Sequence, residues 1–297
     1  MTGADLAVDT AVRADPDVAG RYHLVLPTSW DYVLPSGGVV LTCALRAAQA
    51  ALGDPLLRLA STTAMFATPI HAGRLVADVH VVRRGGATAQ VRVTLRDAVN
   101  QTEGEDNAGV EVLSTWCRDR RGPDVRGAAV PAVASLADAR SVDDGVGSNP
   151  HARFAFYQQL ETRIADGEPF WRADWAAGPA RYARWMRYRA PQRDADGFDR
   201  LALPPLIDTM PTALHRAIGP GGYRFFAPSL DLTVHAVDDT AREWLLVAVR
   251  LTRARMGWAS AECEVWDDEG RFVAYGTQAM YIHGVAGEPP VIDASRR

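Results

Sequence analysis

The chain has 297 residues, of which 47% are hydrophobic, and a formal net charge of −4. A chain of this size can bury two hydrophobic cores, so we expect two domains. Because the net charge is slightly negative, the protein has no overall positive potential, which argues against nucleic acid and anionic membranes as partners. No stretch approaches the roughly 18 apolar residues of a membrane helix, and the first 20 residues lack the apolar run of a signal peptide. We therefore expect a cytoplasmic protein.

The first half of the chain reads as one strand, one helix and then several strands. Residues 1–20 are predicted to be a loosely packed tail, and 21–121 to form the first unit. Residues 39–52 are apolar nearly all round, which predicts a buried helix capped by Ser36 and ended by Gly53. Such a helix needs cover on most sides, as a curved sheet would give. Alternating strand patterns cover 21–27, 58–68, 74–83, 87–97 and 109–119.

The second half repeats this order of elements. Residues 122–152 are rich in Ala, Asp, Gly and Pro and are predicted to be a linker, with a second unit at 153–284 and an exposed tail at 285–297. Strand patterns cover 154–165, 182–191, 225–236, 243–254, 259–268 and 271–282. Both halves have the order strand, helix, strands, which indicates an internal repeat of α+β units.

The helix of the second half, residues 201–218, carries one acid near its middle. Apolar residues recur there at steps of three and four, so Asp208 lies at the margin of a buried stripe. Pro211 cannot donate to the carbonyl of Ile207, which predicts a kinked or unfinished helix beside the acid. Two interpretations remain open: Asp208 caps a helix that begins at Thr209, or it is a catalytic group.

The cysteines and histidines give no sign of a metal or redox site. Cys43, Cys117 and Cys263 are far apart, odd in number and without CxxC spacing, which predicts reduced thiols. The histidines lack metal-type spacing. Asp208 and His215 are seven residues apart, which leaves an acid/His dyad open. We expect no metal and no cofactor.

Features of both units resemble the acyl-CoA thioesterase II (TesB-like) family. The first unit has Trp30 before Gly37-Gly38, and the run FATPIHAGRLVADVHVVRRGGATAQVRV. The second unit has Asp208 in its helix, the strand APSLDLTVH, and GRFVAYGTQAMYI in the last strand. The resemblance covers roughly residues 20–284. It implies a double hotdog fold, in which an antiparallel sheet wraps a central helix in each repeat.

The resemblance also implies an activity and three catalytic residues. The family hydrolyses acyl-CoA with an Asp, a Ser or Thr, and a Gln that hold and activate a water. By position these are Asp208, Ser229 and Gln278, with Thr233 as the alternative hydroxyl because it faces the same side of the strand. The expected substrate is an acyl-CoA or an acyl-carrier thioester, and a homo-oligomer is compatible with the exposed sheet edges.

Five further residues are predicted to bind substrate. The acyl channel is expected to be lined by apolar residues, and the oxyanion to meet backbone N–H groups at the start of the first helix or near Asp208. The predicted binding residues are Gly37, Gly38, Trp30, Phe66 and Met210. Two rival functions are a hotdog hydratase or dehydratase acting on an acyl thioester, and a non-catalytic protein that binds acyl thioesters.

Overall fold

The structure is a computed structural model of the whole chain. It describes residues 3–97, 108–142, 154–169, 175–195, 197–221 and 223–292. In these residues none of the helices has the length and apolarity needed to cross a membrane.

The first unit contains one long helix and a set of strands. Its helices are α1 (Leu6–Asp9) and α2 (Gly37–Leu52), with a 3₁₀ turn at Thr28–Trp30. Its strands are β1 (Arg13–Ala14), β2 (Arg21–Leu26), β3 (Arg58–Phe66), β4 (Gly73–Arg84), β5 (Thr88–Asp97) and β6 (Val110–Cys117). Gly53 ends α2 in the left-handed conformation, at φ 56°, as predicted.

The second unit has the same parts but a divided helix. Its helices are α3 (Ala155–Gln158), α4 (Leu203–Ile207) and α5 (Pro211–Ile218), with a 3₁₀ turn at Arg200–Ala202. Its strands are β7 (Arg140–Ser141), β8 (Leu160–Asp166), β9 (Arg181–Tyr188), β10 (Arg193–Asp194), β11 (Gly197–Phe198), β12 (Arg224–Phe226), β13 (Asp231–Ala236), β14 (Leu245–Arg255), β15 (Trp258–Asp267), β16 (Phe272–Tyr281) and β17 (His283–Ala286).

The strand order shows the repeat directly. Among the described residues, one antiparallel sheet runs β1-β2-β4-β5-β6-β3-β13-β16-β15-β14-β9-β8-β7. The order β2-β4-β5-β6-β3 of the first unit matches β9-β14-β15-β16-β13 of the second, so the predicted repeat is confirmed. The units join edge to edge where β3 pairs with β13, from Met65 opposite Asp231 to Ser61 opposite His235. The shared sheet thereby covers one edge of each unit.

The two central helices pack into one core. Most of α2 is buried, including Val40, Leu41 and Leu45, because its apolar residues surround the whole helix. All five residues of α4 are buried as well. The alternating burial of β5 and β6 shows the period of two that each strand had in the sequence.

Three predictions for local structure are wrong. The segment predicted as an N-terminal tail, 1–20, includes α1 and β1, and its Leu6 is fully buried in the core. The strand predicted from residue 154 begins with the helical turn α3, and the strand itself starts at Leu160. The stretch from 225 to 236 is broken between β12 and β13.

The predicted unit boundaries remain predictions. Strand pairing of the second unit already begins at Arg140, within the linker predicted at 122–152, of which 143–152 lie outside the described residues. The C-terminal tail predicted from 285 begins inside β17, which pairs with β12; residues 293–297 lie outside the described residues.

Candidate active site

Asp208 lies at a break between the two helices of the second unit. Helix α4 ends at Ile207 and α5 begins at Pro211, so Asp208 is the C-cap residue that follows α4, with φ −69° and ψ 31°. Pro211 has no N–H to continue the helical ladder, which is why the predicted interruption occurs here. The side chain is 8% exposed, so its carboxylate lies inside the protein.

The carboxylate of Asp208 accepts four hydrogen bonds. Oδ2 accepts from the hydroxyl of Ser36 at 2.9 Å and from the backbone N–H of Gly38 at 2.8 Å. Oδ1 accepts from the hydroxyl of Ser229 at 3.0 Å and from Nε2 of Gln278 at 2.6 Å. One acid therefore connects the helix start of the first unit with Ser229, between β12 and β13, and with Gln278 on β16 of the second.

Asp208 caps the helix of the other unit. Ser36 stands at the N-cap position of α2 but makes no capping bond to its own helix, and the free N–H of Gly38 is satisfied by Asp208 instead. The interpretation that Asp208 caps a helix starting at Thr209 is wrong, because α5 starts at Pro211 and its N-cap residue is Met210. Ser36 is the site residue that the sequence missed; its only signal was its place before a helix.

Burial raises the pKa of Asp208 above its usual value. The hydrogen bonds from Gly38, Ser36, Ser229 and Gln278 lower that pKa, but the loss of hydration outweighs them. A carboxylate of this kind binds a proton more readily than an exposed one, which suits it to act as a general base.

Gln278 and Ser229 complete the polar cluster. Gln278 is on β16 and 2% exposed, and its Nε2 lies 2.5 Å from the Ser229 hydroxyl. Its Oε1 is buried and has no hydrogen-bond partner among the described residues. Thr233, the alternative hydroxyl, hydrogen-bonds Thr63 across the junction of the units at 2.9 Å. Of the two hydroxyls considered from the sequence, Ser229 and Thr233, Ser229 is thus the one that contacts Asp208.

Gly37, Gly38 and Phe66 lie close to the acid. A Cβ on Gly38 would stand 2.4 Å from the carbonyl oxygen of Pro204, so α2 and α4 touch backbone to backbone. A Cβ on Gly37 would stand 3.2 Å from Asp208 Oδ2 and 3.0 Å from Cζ of Phe66. Gly37 and Phe66 therefore border the carboxylate, whereas the N–H of Gly38 is already occupied by it.

Trp30 and Met210 are packed into the core. Trp30 is fully buried, and its indole N–H donates to Asp9 at 2.9 Å while its ring contacts Tyr188 edge-on. Met210 is also fully buried and lies against Gly276. These packing contacts account for the burial of both residues, and their roles in substrate binding stay predictions.

The Asp208/His215 dyad does not form. The four partners of Asp208 do not include His215, whose ring stacks on Phe225 at a centroid distance of 4.4 Å. Burial lowers the pKa of His215 to about 4, so the ring is neutral near pH 7. No group of three or more potential metal ligands occurs among the described side chains.

Comparisons with known proteins agree on both halves of the chain. Residues 26–117 match the acyl-CoA thioesterase N-terminal domain, and 138–282 match the acyl-CoA thioesterase C-terminal domain. A comparison with curated proteins found no match.

Solved structures similar to this one cover nearly the whole chain. A conserved protein of unknown function with a hot dog fold from Alicyclobacillus acidocaldarius has a TM-score of 0.76 and 21% identity, over 96% of this chain and 98% of that one. A putative thioesterase from Novosphingobium aromaticivorans has a TM-score of 0.69 and 22% identity, over 91% and 98%. The acyl-CoA thioesterase II TesB2 from Mycobacterium marinum has a TM-score of 0.70 and 18% identity, over 96% and 99%.

Proposed function

The chain belongs to the acyl-CoA thioesterase family and is a thioester hydrolase with a double hotdog fold, and from this premise we propose that it hydrolyses an acyl-CoA by Asp208-assisted attack of water. The reaction converts the thioester and one water into a carboxylate, free CoA thiol and a proton. The water oxygen forms the new bond to the acyl carbon, the C–S bond breaks, and the sulfur leaves with the electron pair.

The attacking water is held by two acceptors. Oδ1 of Asp208 and the unpaired Oε1 of Gln278 each accept one hydrogen of the water, which leaves a lone pair on its oxygen for the acyl carbon. Asp208 takes the proton as the C–O bond forms, and its raised pKa favours that transfer. Ser229 fixes the orientation of both partners, since its hydroxyl lies within hydrogen-bond distance of each.

The oxyanion is stabilised at the start of α2. The N–H of Gly38 is committed to Asp208, so the remaining donor at this helix end that borders the carboxylate belongs to Gly37. A helix N-terminus carries a partial positive charge, and backbone N–H groups held in place need no rearrangement as negative charge develops.

The observation that carries the proposal is the convergence of Asp208, Ser229 and Gln278 within 2.5 to 3.0 Å of one another. Its test is release of free thiol from short-, medium- and long-chain acyl-CoA. Turnover of at least one chain length is expected. No CoA release from any of them contradicts the proposal, and binding without turnover supports a non-catalytic acyl-binding protein.

Two single variants test the roles within the cluster. Ser229→Ala is expected to lower kcat by about tenfold or more because Asp208 and Gln278, which hold the water, lose the hydroxyl that orients them. Thr233→Val is the matched control, since Thr233 bonds Thr63 rather than Asp208. Equal losses in the two variants would show that the Ser229 hydroxyl has no special part in the reaction.

The choice between CoA and a carrier protein is part of the same proposal. We favour acyl-CoA in the cytoplasm, because the two matched domains belong to the acyl-CoA thioesterase family and the free Cys43 and Cys263 are buried thiols. Comparison of kcat/KM for one acyl group on CoA and on an acyl carrier protein tests it.

A further inference from the structure

Arg184 is a buried cation with an unused hydrogen-bonding edge. It lies on β9 and is 5% exposed. Its Nε and Nη2 atoms have no hydrogen-bond partner in the described part of the chain. Burying guanidinium N–H groups without acceptors costs free energy. A bound ligand with an acceptor atom would remove this cost, since the described residues do not supply one.

The surroundings of Arg184 are aromatic rather than acidic. Its guanidinium lies 5.6 Å from the centre of the Tyr182 ring, and it hydrogen-bonds the Tyr157 hydroxyl. Among the described residues no carboxylate forms an ion pair with it, and the groups that interact with its charge are tyrosines, including Tyr32, and the thiol of Cys263. The positive charge is therefore not neutralised from within this part of the protein.

The unused edge is the one that other arginines of this chain use for carboxylates. Arg21 binds both oxygens of Asp78 through Nε and Nη2, and Arg242 binds Asp268 in the same way. Arg187, three residues after Arg184, holds one oxygen of Glu161 through the same two nitrogens. A planar guanidinium edge matches the two oxygens of a carboxylate.

Arg184 faces the interior on the side of the catalytic cluster. Side chains alternate along β9, so Arg184 shares its face with Met186 and Tyr188, which pack in the main core. The hydroxyl of Tyr188 donates to the carbonyl of Ala202, just before α4. The opposite face carries Trp185, which packs in a separate cluster.

Tyr32 lies between the surroundings of Arg184 and those of Asp208, since the charges of both residues act on it. It precedes Ser36, which binds Asp208, and its ring packs against Phe156 at 4.7 Å and Tyr157 at 5.2 Å. Burial raises the pKa of Tyr32, and both Tyr157 and the charge of Asp208 add to the effect. Strand β9 is three strand spacings from β16, about 14 Å along the sheet, which is comparable to the length of an extended medium-chain acyl group.

We propose that Arg184 binds a carboxylate at the far end of the acyl group, through Nε and Nη2, and that the preferred substrates are monothioesters of dicarboxylic acids. This inference rests on the proposed thioesterase reaction and specifies its substrate class. The carboxylate supplies the missing acceptor for Arg184, next to the Tyr182 ring and the Tyr157 hydroxyl.

The test compares acyl-CoA pairs of equal length that differ only at the far end. Hexanedioyl-, octanedioyl- and decanedioyl-CoA are measured against hexanoyl-, octanoyl- and decanoyl-CoA with the full-length protein. The wild type is expected to have the higher kcat/KM for at least one dicarboxylic member. In Arg184→Met that kcat/KM is expected to fall by at least about 100-fold, because truncating a buried charge partner has an effect of this size, while turnover of the unsubstituted partner is retained.

Two controls separate recognition from folding. Arg187→Met removes an arginine from the same strand whose partner is Glu161, and the chain-end preference should persist. Arg184→Lys retains the charge but not the planar edge, and should keep only part of the preference. Thermal unfolding of each variant, with and without free octanedioate, reports binding without turnover; the wild type and Arg187→Met are expected to gain stability from octanedioate, and Arg184→Met is not.

The outcomes distinguish this inference from the proposed function. If the wild type hydrolyses unsubstituted acyl-CoA as well as or better than every dicarboxylic partner, Arg184 does not select a carboxylate, while the thioesterase proposal stands. The same conclusion follows if Arg184→Met loses both activities equally. If the wild type hydrolyses no acyl-CoA of either kind and octanedioate does not stabilise it, both proposals fail.

Discussion

Replacing Asp208 by Asn removes a negative charge and converts one acceptor oxygen into an NH₂ donor. The four groups around the carboxylate all donate to it. The amide oxygen of Asn is expected to remain with Gly38, whose backbone N–H cannot act as an acceptor. The NH₂ group then faces Ser229 and Gln278, whose hydroxyl and amide can reorient to accept. The variant should therefore keep the cap on α2 and lose the base.

The expected loss of activity follows from the role of the base. Positioned general-base catalysis contributes about 10²–10⁴-fold, which corresponds to about 2.7–5.4 kcal/mol at 1.36 kcal/mol for each factor of ten. Release of CoA thiol is followed under single-turnover conditions, so that the chemical step is measured. The expected result is a fall of at least about 100-fold in that rate, with folding retained.

Asp208→Ala serves as the structural comparison. It removes the cap as well as the base, leaving the buried N–H of Gly38 without its acceptor, which costs about 1–3 kcal/mol. Asn should thus unfold at a higher denaturant concentration than Ala, while both are inactive. Turnover by folded Asp208→Asn close to that of the wild type would refute the assignment of the base.

The pH dependence of stability gives an independent check. Because the folded-state pKa of Asp208 is raised, the acid contributes stability below its unfolded value of 3.8, and that contribution is lost as pH rises through the folded-state pKa. The Asn variant has no such dependence. The wild type should therefore lose stability relative to Asp208→Asn as pH rises from 3.8 through the folded-state pKa of Asp208. Urea unfolding at several pH values measures this difference.

Three further changes have defined outcomes. Gly38→Ala should destabilise by about 1–3 kcal/mol or more and lower turnover, because its Cβ would meet the Pro204 carbonyl at 2.4 Å; wild-type stability in thermal unfolding would contradict this close contact. Ser36→Ala removes a bond that lowers the pKa of Asp208, so the acid limb of the kcat/KM profile should move to higher pH; an unmoved limb would show that Ser36 has no effect on the base. His215→Asn should reduce the acid sensitivity of folding: with a pKa of about 4, His215 costs the wild type about 3 kcal/mol as pH falls from about 7 to about 4, and the same change of urea midpoint with pH in the wild type and in His215→Asn would contradict it.

The sequence predicted the features that depend on local pattern. Apolar residues surrounding α2 indicated a buried helix, and period-two strands indicated the sheets, because both patterns reflect burial on fixed faces. The interruption beside Asp208 was predictable since Pro211 lacks an N–H. The repeat order followed from these elements, and the resemblance to the thioesterase family selected Asp208, Ser229 and Gln278 from many polar residues.

Features set by distant contacts were not predictable in this way. Ser36 was predicted to cap its own helix, as its local position suggests, but its hydroxyl binds an acid 172 residues away. The choice between Ser229 and Thr233 depended on the junction of the units, where Thr233 meets Thr63. Arg184 gave no signal, because an arginine on a strand is ordinarily exposed and only the fold shows it buried without an acid.

The placement of Asp208 makes the proposed reaction depend on both repeats. Its backbone belongs to the second unit, yet Oδ2 is held by Ser36 and Gly38 of the first. These two donors orient the carboxylate so that Oδ1 is directed to Ser229 and Gln278. Among the described residues no cation pairs with the acid, so its charge is stabilised by dipoles alone. A cation in contact would depress the pKa of the acid and weaken it as a base, whereas four neutral donors hold it in place and leave it with a raised pKa.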